Sequence, residues 1–437
     1  MIEDNTIVFF LIFVAIFLIF YLISGKNLRP QIILDPYVFF YLMISSILTT
    51  HLVLFFDDKY SLDPEFIFAF SLSFLFFTIS FFSTSYILSS KLGILFESLR
   101  RGIIKNRCCI DNRIYLNKIY FPIFGIGIII AIIFFLDAFE RFSTLSNLHS
   151  DTALYITNNP TSRYIGYLEP YKKISSAYFM MFLLLQNSTS KIKKITAYVY
   201  LSIELITYSI LGSRASLAYF FMPLGFIALF LYHTKNINLV TVKKIQFLIV
   251  FFSILLATFM AGNNFEDIFS SIYPIMVRLF VSSEMSFWYH IYGTLRPENF
   301  RDYDFSYYVY PLLKIIGLVN SQPGIGIYTA ELAGNMDLGK GPVPGFFYES
   351  YLISKSFFYS VIYSSLVGFS VPFFRYFCVV GLVKLIKNGC YLFIALFGYY
   401  YSDILVGDFW IIYGIVPTFI FSSLIFYCIF KQINVKS

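Results

Sequence analysis

Three positions carry side chains suited to gripping a phosphate or moving a proton: Arg214, Arg278 and Glu349. Arg214 lies in Leu211-Gly-Ser-Arg-Ala-Ser216, a short turn between two apolar runs. Gly212 and Ser213 permit a tight turn, which leaves the guanidinium at the mouth of a helix bundle. A permanently charged fork at that depth suits a lipid-linked diphosphate, held through two parallel hydrogen bonds. The plainer alternative is an arginine reaching for lipid headgroups. Arg278, flanked by Val277, Leu279 and Phe280, reads as a phosphate or sugar clamp or as a solvated helix charge. Glu349 follows the Gly- and Pro-rich run 334–345 and precedes an apolar segment, a half-desolvated setting that suits a general base and equally a helix cap. Glu284 and His290 are further base candidates. Glu204 sits inside an apolar run and must face protein or a cavity, as an arginine's partner or in proton relay.

These residues are held by a chain that uses lipid as its main solvent. Of its 437 residues 58% are hydrophobic and 13% charged, with mean hydropathy +0.73, whereas soluble chains carry about 25% charged residues. Apolar runs fall near 6–23, 37–56, 66–88, 121–139, 165–187, 196–211, 216–233, 246–262, 356–374, 389–402 and 410–430. Runs of this length match the hydrocarbon core, and without barrel-like alternation they predict helices. The expected fold is an all-α polytopic membrane protein of about eleven transmembrane helices. The first run reads as a retained span, since Met1 to Thr6 is acidic and no small-residue cleavage pattern follows.

Basic residues set the orientation. With the N-terminus outside and the C-terminus inside, 20 of the 32 basic residues fall in inner segments, including the run 91–118, against three of the 25 acidic ones, Asp35, Glu97 and Asp111. The net charge of +7 then follows from topology and requires no nucleic-acid partner. Cys108, Cys109, Cys378, Cys390 and Cys428 fall on the inner side, away from an oxidising compartment, and show no metal-ligand spacing. Trp288 and Trp410 fall on the outer side. The stretch 375–387 reads as an amphipathic helix on the inner surface.

The layout is one membrane domain in three parts: helices one to eight in 1–262, a large outer loop in 263–355 and the last three helices in 356–437. The loop clusters Arg278, Glu284, Arg296, Glu298, Arg301, Glu331 and Glu349 among aromatics. Within it, 268–293 has helical spacing and 307–317 suits a short surface helix. An outer segment, 140–173, adds Arg141, His149, Arg163 and Glu169. No Walker-type glycine loop, HExxH helix, GxSxG elbow or Cys/His cluster is present, so neither a metal nor a cofactor is expected.

In the order of these features the chain resembles the Wzy-type polymerases of bacterial O-antigen, capsule and common antigen. The resemblance is carried by Gly212-Ser-Arg-Ala-Ser216 between paired spans, by Val277-Arg-Leu-Phe with Glu284 downstream, and by Gly341-Pro-Val-Pro-Gly-Phe-Phe-Tyr-Glu349 leading into the next span. It implies a GT-C-like enzyme of the bacterial inner membrane, facing the periplasm, that transfers a growing glycan from undecaprenyl diphosphate onto a new lipid-linked repeat unit. Donor, acceptor and membrane lipid are the implied partners, with a Wzz-type chain-length regulator as a further candidate. On that resemblance Arg214 and Arg278 would stabilise the leaving diphosphate, and Glu349, with His290 in reserve, would deprotonate the acceptor. Arg163, Glu284, Trp288, Tyr289, Arg296 and Arg301 would bind substrate, and Tyr307 and Tyr308 would offer further rings to sugars. Two alternatives remain. A ligase joining glycan to lipid A shares the long outer loop and arginine clamp. A flippase needs charge lining a deep cavity, and the buried charge here is nearly limited to Glu204. The loop 263–355 then reads as a lid and acceptor-binding wall over a cavity at the membrane surface.

Overall fold

The computed structural model describes residues 2–23, 36–56, 64–105, 109–144, 168–185, 190–210, 214–233, 240–245, 297–304 and 346–387, together with positions 165, 237, 238, 247, 251, 307, 328 and 332. Among them there is no strand. The principal helices are α1 (Ile2–Ile23), α2 (Pro36–Phe56), α3 (Pro64–Lys105), α4 (Cys109–Thr144), α5 (Glu169–Leu185), α6 (Lys191–Ile210), α7 (Arg214–His233), α8 (Phe346–Ser354) and α9 (Phe357–Lys387), with a 3₁₀ turn at Pro297–Phe300. Pro36 and Pro64 occupy first helical positions, where a missing N–H costs nothing. Glu65 and Glu169 place negative charge in the first turns of α3 and α5, which complements the helix dipole.

Three segments of these helices are long and apolar enough to cross a membrane: Ile67–Leu95, Ile119–Glu140 and Phe357–Gly381. The chain is a helical membrane protein. Of the other expected spans, 389–402 and 410–430 lie outside the described residues, as does nearly all of 246–262.

Helix directions follow from side chains that meet. In α3 and α9, Phe68 meets Phe357, Ser73 meets Ser360, and Gly368 rests on the backbone at Phe77 and Phe81, so the two helices run parallel. The absence of a Cβ at Gly368 permits this approach, because an added methyl would collide with the Phe77 carbonyl oxygen. The stacking of His51 on Phe70 and of Tyr41 against Phe81 makes α2 antiparallel to α3. In α4 and α6, Tyr120 reaches Lys193 and Thr196 while Gly127 faces Tyr200, which is again parallel packing. Between them runs α5, antiparallel to both: Phe182 meets Tyr120, and Phe179 meets Phe124 and Tyr200. The run Ala177, Tyr178, Phe179, Met181 and Phe182 is fully buried, so α5 is enclosed on every side over that stretch.

Two expectations about the inner side need correction. The run 91–118 is largely helix rather than loop: α3 continues to Lys105 and α4 starts at Cys109. The stretch 375–387 is the continuation of α9, not a separate surface helix. Arg375 is only 5% exposed, and Cys378 and Val379 beside it belong to the core. No proline follows Pro372 before 387, and buried Arg375, Cys378 and Val379 carry the packed side of the helix past 374, so it does not stop there.

Candidate functional site

Since α4 starts three residues after α3 ends, it crosses back, and the alternation continues through α5, α6 and α7. The start of α7 at Arg214, the start of α5 at Glu169, the end of α6, and α8 before α9 therefore gather at one end of the bundle. The opposite end carries Arg100, Arg101 and Lys105 of α3, Lys191, Lys193 and Lys194 of α6, and Lys384 and Lys387 of α9.

Beneath the first end lies a buried ion pair. Lys172 Nζ of α5 is 3.4 Å from Glu204 Oε2 of α6, with side chains 1% and 0% exposed. Neither carboxylate oxygen has a hydrogen-bond partner among the described residues, so the contact is an ion pair without hydrogen-bond geometry. The ammonium also stands 4.0 Å from the Tyr208 ring centroid and 4.4 Å from that of Phe134. Such desolvated cation–π contacts are worth about 2 kcal/mol. Ser176 Oγ and Tyr200 Oη both donate to the Lys172 carbonyl, at 3.1 and 3.3 Å, fixing the backbone that carries the lysine. Tyr208 in turn packs on Phe220 of α7, with ring centroids 5.7 Å apart. The pair thus joins α5 to α6, and through Tyr208 to the helix that starts at Arg214. Nearer the surface, Lys173 pairs with Glu169 at 3.0 Å.

The sequence offered an arginine as the partner of Glu204; the partner is Lys172. That lysine was overlooked because it stood at the edge of the polar segment 140–173. Its signal was the string Glu169-Pro-Tyr-Lys-Lys173, an acid-first helix start whose next turn, Ile174-Ser-Ser-Ala177, carries no charge. With this burial the pair ties α5 to α6 in the bundle interior.

The candidate residues themselves are placed unevenly. Arg214 is the first residue of α7 rather than the middle of a turn. Glu349 lies on α8, three and four positions before Leu352 and Ile353, which are 1% and 3% exposed. By helical spacing position 349 therefore falls on the bundle-facing side, one turn nearer the loop. Arg301 is exposed, and its carbonyl accepts a hydrogen bond from Lys355 Nζ at 3.2 Å. Arg163, Arg278, Glu284, Trp288, Tyr289, His290 and Arg296 lie outside the described residues.

One aromatic expectation is overturned. Tyr307 is 6% exposed and packs on Tyr303, which with Phe300 and Tyr328 forms a cluster continuous with the main core. A ring buried to this extent offers no open face to a sugar. These described residues of the segment 263–355 are tied to the bundle, and Tyr328 Oη donates to the Asn299 carbonyl at 3.0 Å. A groove of about 440 Å³ between α3 and α9, bordered by Leu72, Phe76, Phe358, Ile362 and Leu366, is almost wholly apolar and suits neither sugar nor phosphate.

Fold and packing define a helical membrane protein with charged groups gathered at one end of its bundle. The chain matches no family model, and neither a curated protein nor a solved structure is similar to it.

Proposed function

We propose that this protein is a glycan polymerase that uses lipid-diphosphate-linked repeat units and works at the outer face of a bacterial inner membrane. The observation that supports it best is the placement of Arg214 at the start of α7 and Glu349 on α8 at one end of the bundle. Position 349 shares its helix face with buried Leu352 and Ile353. A carboxylate at that position is suited to take the proton of an acceptor hydroxyl. An arginine at a helix start is suited to a diphosphate, since the unpaired N–H groups there favour anions as well. The bond from the donor sugar to its diphosphate breaks as the acceptor oxygen attacks. Negative charge then grows on the diphosphate, where Arg214 and Arg278 stabilise it. The lysines and arginines at the opposite end support a cytoplasmic orientation for that end, with the reacting end outside.

The test is complementation of a deletion strain, read as glycan banding. Arg214→Ala and Glu349→Gln should each abolish long polymer and leave lipid A carrying a single repeat. Unchanged polymer length and amount in both variants would refute the proposal. Bare lipid A with accumulated lipid-linked polymer in the deletion strain would indicate a ligase instead.

A further inference from the structure

Three buried hydroxyls join α8 to the bundle. Ser360 Oγ of α9 lies 2.9 Å from Ser350 Oγ of α8 and 3.0 Å from Ser73 Oγ of α3. Their exposures are 1%, 2% and 0%. A hydroxyl donates once and accepts twice, so the central serine can serve both neighbours. Away from bulk water such bonds link the helices that carry them.

The short helix α8 needs this support. It has nine residues, far fewer than a helix requires to stand alone. It ends in a sharp reversal at Lys355, whose φ of 54° is left-handed, before α9 begins two residues later. Leu352 and Ile353 press it onto the core, but apolar contacts tolerate small rotations. A hydrogen bond to one oxygen does not. The bond made by Ser350 therefore fixes the rotation of α8 about its axis, and residue 349 is the next position along, 100° around the helix.

We infer that the Ser73–Ser360–Ser350 hydroxyl chain is the positioning device for Glu349, with Ser350 and Ser360 as positioning residues that touch no substrate. This rests on Glu349 being the general base. Without the chain, α8 stays docked but rotates, and the carboxylate drifts from the acceptor hydroxyl. A misplacement of about 1 Å can cost roughly 100-fold in rate.

The experiment compares isosteric pairs in the purified full-length protein, with lipid-linked repeat units as substrate. Ser350→Thr and Ser350→Val add comparable bulk and differ in the hydroxyl, as do Ser360→Thr and Ser360→Val. The threonine variants should keep kcat within about threefold of the parent, while the valine variants lose about tenfold or more at unchanged KM. The pH–rate limb that reports the base should move in the valine variants alone, whereas loss of folded protein would merely scale the profile. The double variant Ser350→Val/Ser360→Val should lose no more than either single one, because the chain acts as a unit. Should added bulk prevent folding, Ser350→Ala and Ser360→Ala replace the valine variants against the parent. Equal kcat and equal pH profiles with and without the hydroxyl would overturn the inference. In the same assay an active Glu349→Gln would overturn the underlying assignment of the base. An inactive Glu349→Gln beside fully active serine variants would overturn the positioning role alone.

Discussion

Replacing Lys172 by methionine keeps the length of the side chain and leaves Glu204 without its counter-charge at 0% exposure. Removing one partner of a buried ion pair costs about 3–5 kcal/mol, because the other charge stays behind in a medium that cannot solvate it. The carboxylate has no other hydrogen-bond partner among the described residues to soften that cost. Contacts of the ammonium with Tyr208 and Phe134 are lost too, although a thioether against the same rings restores part of them. At about 2 °C per kcal/mol for a large chain, melting should fall by roughly 6–10 °C. The double variant Lys172→Met/Glu204→Leu should recover most of this loss, since an apolar pair of similar volume is often as stable as the buried ions. Thermal unfolding in detergent measures the parent, Lys172→Met, Glu204→Leu and the double variant, followed with a thiol-reactive dye in a background whose other four cysteines are serine, so that it reports exposure of buried Cys378. The cycle should yield a coupling of about 3 kcal/mol. A Lys172→Met protein that melts with the parent, or a double variant no better than the single one, would refute the anchoring role.

Other outcomes follow from the packing. Gly368→Ala must push α3 and α9 apart, because its methyl meets main chain at Phe77 and Phe81, and should lower stability by about 1–3 kcal/mol. Gly125→Ala is the matched control: nothing lies within 4 Å of the added Cβ, so the same detergent melt should show no loss and a gain of up to about 1 kcal/mol. Tyr120→Phe removes the hydroxyl that donates to the Lys193 carbonyl at 2.6 Å and meets Thr196 Oγ1 at 2.7 Å. Its cost should be about 1 kcal/mol, with protection from hydrogen exchange falling first at the start of α6.

Two of the candidate residues, Arg214 and Glu349, are legible from their types beside apolar runs. Arg214 and Glu349 stood out because a charge at the edge of a lipid-soluble segment is costly unless used. The structure moves each of them onto a helix, one as a first residue and one in the first turn. Tyr307 misled for a physical reason. A tyrosine in a polar loop has the same composition signal whether its ring faces a sugar or the core, and its packing on Tyr303, within the cluster of Phe300 and Tyr328, is invisible to local pattern. The stretch 375–387 misled similarly, because its charges resemble those of a surface helix and Arg375 is nonetheless buried.

By itself the sequence determined the solvent and the class of fold. With so few charges and such long apolar runs, the backbone must satisfy its own hydrogen bonds, and only helices do so over segments of this kind. Tertiary structure alone decided which charges meet and which helices run side by side. Lys172 and Glu204 lie 32 positions apart and Ser73 and Ser360 lie 287 apart, and neither separation carries a periodic signal. Such pairs form because packing brings polar groups together where water cannot reach them. Each must then find its partner across helices rather than along the chain.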